Sequence, residues 1–262
     1  MKKILITGAG SYIGTAFEQY LSRWPEQYAV DTLDMIGDAW RGADLSGYDA
    51  VFHVAGIAHS DSGKISAEKE KLYYAVNTDL TVETAQKAKA AGVRQFIFMS
   101  SAIVYGDSAP IGKNKIIDRD TPTSPANCYG DSKVQAEKGI LPLNDADFKV
   151  VVLRPPMIYG PGSKGNYPIL SKLARKLPLF PKVDNHRSML YIEHLTEFIR
   201  LMVDNEEEGI FWPQNDTYSN TPERVRIIAA AHGRKMRVIP GFTWALKLLS
   251  HVTGLVNKAF GS

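Results

Sequence analysis

Two side chains in the middle of the chain are placed to move a proton. The run Tyr129-Gly130-Asp131-Ser132-Lys133 sets a phenol and an ammonium four residues apart, on one face of a helix. An ordinary tyrosine ionises near ~10 and is a poor base at neutral pH, but a neighbouring Lys⁺ favours the phenolate. Such a pair can act as general base in one direction and general acid in the other. The same spacing recurs by chance on many helices, so an upstream segment adds information: Phe98-Met99-Ser100-Ser101-Ala102-Ile103-Val104-Tyr105-Gly106. A serine at the carboxyl end of a parallel strand lies where open α/β sheets bind ligands. Its hydroxyl there can bond a substrate oxygen as the charge on that oxygen changes.

A second pattern stands at the N-terminus, where Ile4-Leu5-Ile6 leads into Thr7-Gly8-Ala9-Gly10-Ser11-Tyr12-Ile13-Gly14. Glycines after a strand permit a tight turn and let backbone N–H groups approach a pyrophosphate at the positive end of the next helix. Asp34 follows Gly14 by 20 residues, the spacing at which a carboxylate bonds adenosine ribose hydroxyls. It repels the 2′-phosphate of NADP, which points to NAD, although Arg41 is within reach of such a phosphate in sequence. The positive nicotinamide ring would then favour the Tyr129 phenolate further. Asp44 and Leu45 are candidate adenine neighbours, with an exposed loop carboxylate as the equal alternative for Asp44.

The elements that must position these groups alternate along the chain. Short β-branched or aromatic runs fall at 3–7, 28–34, 50–54, 95–100, 148–154 and 210–212. Between them, stretches of helical spacing fall at 12–23, 68–91, 129–140, 167–176, 193–205 and 222–232. This is the pattern of a parallel sheet with crossover helices, a doubly wound α/β fold. After Arg154 the chain is punctuated by Pro155, Pro156, Pro161, Pro168, Pro178 and Pro181 and by Gly160, Gly162 and Gly165, the composition of loops that grip a ligand. The expected division is therefore a dinucleotide domain at 1–154 and a small, irregular substrate lobe at 155–262, with 190–213 returning to the sheet.

Composition narrows the class. With 44% hydrophobic and 23% charged residues the chain is an ordinary globular one. Its 31 Lys+Arg against 28 Asp+Glu are spread along the sequence, which argues against nucleic acid as the main partner. One cysteine, Cys128, excludes an internal disulfide and reads as a packing residue in a reducing compartment. Six scattered histidines predict no metal site. The expected location is cytoplasmic, because the apolar run at the N-terminus is too short for a secretory signal and no stretch reaches the ~18 apolar residues of a membrane span.

Taken together, the glycine turn, His53-Val54-Ala55-Gly56, Val76-Asn77, Ser100-Ser101 through Tyr105-Gly106, Tyr129 to Lys133 and Arg154-Pro155-Pro156-Met157-Ile158-Tyr159-Gly160 resemble the extended short-chain dehydrogenase/reductase family, in its nucleotide-sugar epimerase and dehydratase group. The resemblance implies that Ser101 orients a sugar hydroxyl, Tyr129 transfers the proton and Lys133 holds the nicotinamide ribose. It puts Val54, Ala55, Gly56, Asn77 and Ser100 on the cofactor side and Pro156, Met157 and Ile158 beside the nicotinamide. Asn77 has the alternative of a structural amide that bends its helix. Two departures stand out: Ser11 occupies a position that more often holds glycine, and the chain is short for the family, which implies a reduced lobe or a truncated end.

The same resemblance bears on the reaction. Dehydratases of the group carry Asp-Glu directly after the strand-end hydroxyl residue, and here those positions are Ala102 and Ile103, so dehydration is disfavoured. Epimerisation of a nucleoside-diphosphate sugar by transient oxidation of a ring carbon, usually C4, is the leading expectation. An NAD(P)-dependent reductase and a non-catalytic NAD-binding sensor stand as alternatives. Asn166 matches a residue that contacts the sugar nucleotide. Arg187, just before a short strand, suits a diphosphate through its planar fork, with a surface ion pair as the alternative. A homodimer built on the helices at 68–91 and 129–140 is also implied.

Overall fold

The computed structural model describes residues 1–58, 65–110, 113–163 and 166–241. The central sheet is built from β1 (Lys2–Thr7), β2 (Tyr28–Leu33), β3 (Ala50–His53), β4 (Gln95–Met99) and β5 (Lys149–Leu153). Along these strands successive side chains leave on opposite faces. Ile4, Ile6, Phe52, Ile97, Met99, Val151 and Leu153 enter one buried core, and Leu5, Val51, Phe96, Phe98, Val150 and Val152 enter the other. Strands buried on both faces need helices on both, and the chain supplies them as crossovers. The first core is covered by α1 (Tyr12–Leu21) and by a later helix, and the second by α3 (Leu80–Ala90) and α4 (Cys128–Ile140), with α2 (Ala67–Tyr74) packed beside α4.

Beyond β5 come β6 (Met157–Tyr159), α5 (Asn166–Lys176), β7 (Leu179–Pro181), β8 (Met189–Tyr191), α6 (Ile192–Asp204), β9 (Gly209–Phe211), α7 (Thr221–Ala231) and β10 (Arg237–Ile239). Helix α6 completes the cover of the first core through Leu195, Ile199, Met202 and Val203, and β9 pairs with β5. The sheet order is β2-β1-β3-β4-β5-β9, all parallel. It reverses between β1 and β3, and ligands bind outside the carboxyl ends of strands at such a switch point.

Helices α5 and α7 with β7 and β10 enclose a separate small core of Leu170, Ala174, Phe180, Val225, Ile228 and Ala229. The parallel two-stranded β6·β8 ladder brackets α5 and β7 in chain order. The stretch 242–260 lies outside the described residues. No helix among the described residues is long and apolar enough to cross a membrane.

One element departs from the spacing-based expectation. The helix foreseen at 68–91 is interrupted by a single π turn at Ala75–Asp79. Its centre, Asn77, is wholly buried and bonds the backbone of the loop after β3, accepting from Ile57 N at 2.8 Å and donating to Ile57 O at 3.1 Å. Amphipathic periodicity registers a helix and is blind to one extra residue in a turn; π turns of this kind recur at functional sites.

Candidate active site

At the carboxyl end of β1 the chain turns through Gly8, whose φ of +108° suits glycine and whose added Cβ would lie 2.8 Å from Ala55 N. Gly8 N and Ala9 N both donate to Leu33 O, which brings the turn against the end of β2 and next to Asp34. Ser11 caps α1 by accepting from Gly14 N at 3.2 Å, so the hydroxyl at this departure from the family pattern serves the helix end. The N–H groups of Tyr12 and Ile13, in the first turn, have no intrahelical acceptor and point out of the positive helix end.

These features fit a dinucleotide. An added Cβ at Gly10 would meet nothing within 4 Å, so space is open above the turn, and Asp34 is exposed at the end of β2 with Oδ1 bonded to Ile36 N. Arg41 is engaged elsewhere, holding Glu83 at 2.5 and 2.7 Å and also Asp38. At the end of β3, Val54 N and Ala55 N donate to Thr7 O, and Gly56 lies beside both Asn77 and the Lys133 ammonium.

Several of the cofactor-side candidates have partners within the protein. Both Asp44 oxygens accept from Ser46, which holds its pKa low and leaves it as a loop cap. Leu45, only 1% exposed, packs in the second core with Leu5 and Val51. The amide of Asn77 is spent on Ile57 and on Ser132 Oγ at 3.1 Å, so the residue braces the site. Ser100 gives its hydroxyl to Glu137 at 2.5 Å and is buried.

Ser101 and Tyr129 do come together. Ser101 ends β4, and its oxygen caps the 3₁₀ turn Ala102–Tyr105 by accepting from Ile103 N at 3.3 Å. Asn127 caps α4 by accepting from Gly130 N at 2.9 Å, and this fixes Tyr129 in the first turn. The Ser101 hydroxyl lies near enough to the Tyr129 phenol to act on its ionisation. Burial pushes the Tyr129 pKa above its ordinary value, while the Ser101 hydroxyl works in the opposite direction and Tyr73, its ring 6.0 Å away, adds to the rise.

Lys133 lies one helical turn on, 5% exposed, with Nζ donating to Met99 O at 3.0 Å and standing 4.6 Å over the Phe98 ring. Burial lowers its pKa from 10.5 to about 8, against the pull of Glu137. Its charge was expected to favour the Tyr129 phenolate, and burial of the phenol outweighs that in the protein alone. Cys128 opens α4 half-buried, with its thiol pKa raised by burial.

Beneath these groups lies a polar network that sequence reasoning missed. Glu137 and Arg154 form a buried ion pair at 2.5 Å, and Arg154 Nη1 and Trp212 Nε1 both donate to Tyr105 Oη, at 2.6 and 2.7 Å. The network joins the ends of β4, β5 and β9 to α4. One signal was present: Glu137 is four residues past Lys133 and therefore on the same helix face. His53, also buried, bonds Thr7 Oγ1 at 2.7 Å and Thr81 Oγ1 at 3.0 Å, and burial with the Lys133 charge drops its pKa to about 3. Because Thr81 already donates to Asn77 O, it accepts from His53 Nε2–H, so the ring is neutral and Nδ1 accepts from Thr7.

In the C-terminal part, Pro156, Met157 and Ile158 are half-buried where the chain leaves β5 for β6. Arg187 is bridged to Ser219 through the backbone and donates from Nη2 to Ser108 Oγ at 3.3 Å. Ser108 lies on the connection that begins at Ser101, so Arg187 reaches the segment that follows β4. Asn166 opens α5, and its side chain and Gly165 lie outside the described residues.

The model of the NAD dependent epimerase/dehydratase family matches residues 4–212. A UDP-glucose 4-epimerase of Vibrio cholerae is 32% identical over 286 aligned residues, which cover 100% of this chain and 86% of the relative. An N-acetyl-alpha-D-glucosaminyl-diphospho-ditrans,octacis-undecaprenol 4-epimerase of Escherichia coli O157:H7 is 30% identical, with 79% of this chain and 64% of the relative aligned. Among solved structures, a UDP-glucuronic acid 4-epimerase from Bacillus cereus in complex with NAD is similar with a TM-score of 0.70 at 18% identity, over 91% of this chain and 87% of that one. A dTDP-4-dehydrorhamnose reductase from Bacillus anthracis in complex with NADP gives a TM-score of 0.69 at 20% identity, over 92% and 84%. The structural likenesses establish the fold, and the sequence matches establish the family. The chain belongs to the NAD-dependent epimerase/dehydratase family and is an NAD-dependent enzyme of the extended short-chain dehydrogenase/reductase type.

Proposed function

We propose that this enzyme epimerises a nucleoside-diphosphate sugar at ring carbon C4. The observation that carries the reading is the neighbouring Ser101 and Tyr129 at the end of β4, with Lys133 one turn away and no acid or base at positions 102 and 103. Hydride exchange needs only the first set of groups, whereas loss of water needs the second.

Bound NAD supplies a hydride acceptor that returns the hydride, and its positive ring favours phenolate. Ser101 Oγ bonds the sugar C4 oxygen and aligns it with Tyr129. The phenolate takes the hydroxyl proton as the C4 hydride departs, which leaves a ring ketone with all electrons accounted for. After the ketone turns its other face, the hydride returns to C4 and Tyr129 gives the proton back to the oxygen. Lys133 stands at Gly56, where the ribose of the cofactor would lie, and the polar network around Glu137 keeps α4 fixed to the sheet. Residues 155–262, apart from the elements that join the main sheet, hold the sugar nucleotide.

Two measurements test the reading. NAD-loaded protein incubated with a panel of nucleoside-diphosphate sugars should interconvert one C4 epimer pair without net consumption of NAD. In Tyr129→Phe, turnover should fall by ~10² to 10⁴, the usual contribution of one general acid or base, with the fold intact. Stoichiometric formation of a reduced or oxidised product would replace epimerase by dehydrogenase. Near-normal turnover in Tyr129→Phe would remove the mechanism.

A further inference from the structure

Charge is divided unevenly along the chain. The stretches 166–183 and 224–262 carry 11 of the 31 Lys+Arg and none of the 28 Asp+Glu, which leaves 20 Lys+Arg against 28 Asp+Glu everywhere else. A basic excess confined to one part of a protein marks a surface for an anionic partner. Arg224, which opens the second stretch, is buried in the first turn of α7, whereas Arg226, Arg234, Lys235 and Arg237 are exposed. Lys182 and Arg226 share a cleft with Asp184 and Glu223, so those two have acids at hand.

Helix α5 shows what accompanies the rest of this charge. Leu170 and Ala174 turn into the small core, while Lys172, Leu173, Arg175 and Lys176 are exposed. Leu177 N donates to Leu173 O at 2.9 Å, so the helical turn continues past Lys176 and sets Leu177 over Leu173. Leu179, two residues on, pairs in register with Arg237 across the β7·β10 ladder, which puts both on one face. Leu173, Leu177 and Leu179 are 37%, 41% and 46% exposed. None of Lys172, Arg175, Lys176 and Arg237 is in an ion pair among the described residues, whereas Arg41, Lys89, Arg94 and Arg200 all are.

We propose that this face of the lobe docks on the surface of an anionic phospholipid bilayer. The three leucines enter the boundary between head groups and acyl chains, and the ammonium and guanidinium groups meet the lipid phosphates. A second copy of the chain would bring the same positive charge to the contact and is repelled. Nucleic acid would satisfy the cations but would set the leucines against its phosphates, where aliphatic side chains offer no platform on which bases stack. The rest of the chain does not neutralise the face by composition, since residues 242–262 add Lys247 and Lys258 and no acid. Their apolar residues recur at Trp244, Leu248, Val252 and Leu255.

The test is co-sedimentation of the full chain, saturated with NAD, with vesicles of phosphatidylcholine alone and of phosphatidylcholine mixed with phosphatidylglycerol. Wild type should bind the anionic vesicles and not the neutral ones, with an affinity that falls as salt is raised. Each basic side chain near such a surface contributes about 5-fold, so Lys172→Gln, Arg175→Gln and Lys176→Gln combined should weaken binding on the order of 100-fold. Leu173→Ser with Leu177→Ser keeps every charge and should weaken it about 10-fold, a loss that attraction between charges alone would not produce. All five positions are exposed, so both variants should melt close to wild type, which excludes misfolding as the cause. Failure of wild type to bind anionic vesicles, or binding unchanged in both variants, overturns the proposal. A tighter complex with DNA than with vesicles would assign the face to nucleic acid and overturns it as well. Binding lost in Trp244→Ser with Leu248→Ser but untouched by the α5 variants would move the contact to 242–262 and away from this face.

Discussion

Replacing Lys133 with methionine should make the cofactor-free protein more stable at neutral pH while abolishing turnover. Burial lowers the pKa of this ammonium from 10.5 to about 8, whereas the unfolded chain carries an ordinary lysine. Below pH 8 both states are protonated and the folded state bears the whole burial penalty. Between pH 8 and 10.5 the unfolded state binds a proton that the folded state has released, so wild-type stability rises with pH across that window. At 1.36 kcal/mol per pH unit the interval is worth roughly 3 kcal/mol. Methionine keeps an unbranched stem and removes the charge, but it leaves Met99 O without its donor at a cost of ~1 kcal/mol. The net gain of ~2 kcal/mol corresponds to a rise of about 5 °C in Tm for a chain of this size. Thermal unfolding of both proteins at pH 7 and pH 10 should show that the advantage of the variant shrinks at the higher pH. A variant that melts below wild type at pH 7, or a difference that ignores pH, would refute the reasoning.

Asp34 should select NAD over NADP. Wild type is expected to bind NAD the more tightly, and Asp34→Ala should lose NAD affinity about 10-fold, the scale of a charged hydrogen bond, and narrow the gap to NADP; tighter NADP binding by wild type would remove the assignment. A homodimer is expected on the face formed by α2, α3 and α4, where Leu72 is 49% exposed. Sedimentation at micromolar concentration should show it, and a strict monomer would count against that interface.

Features set by local spacing were legible in the sequence, and features set by long-range partners were not. The glycine turn, the β-branched runs and the Tyr129/Lys133 interval all act within a few residues, so the pattern itself carries their meaning. The hydroxyl of Ser100 is chemically identical to that of Ser101, and only the fold shows that the first serves Glu137 and the second Tyr129. Asn77 likewise reads as a cofactor contact or a structural amide, and the fold adds that it braces Ile57 from within a π turn. That the Leu45 side chain enters the second core was not legible either, because proximity to a strand in sequence does not say which side of the sheet a side chain enters. Arg224 carried no signal at all: an arginine in the first turn of an amphipathic helix is ordinary, and its burial exists only once α7 packs on α5.

The buried cations sort into two kinds, and the distinction separates the scaffold from the site. Arg154 is buried with a full set of acceptors, bidentate to Glu137 and bonded to Tyr105, and it stands where α4 must be held against the sheet. Lys133 has one carbonyl and one aromatic face, and Arg224 has one hydroxyl, so each carries a burial penalty that its own contacts do not offset. A fold optimised for stability alone would replace both by apolar residues of similar volume, as is often neutral or favourable for buried charge. The presence of Lys133 is explained if its missing partners arrive with ligand, as ribose hydroxyls of the cofactor. The ion pair then fixes the geometry, Lys133 holds binding energy in reserve, and bound cofactor should stabilise this protein by more than the contacts of its empty form would suggest.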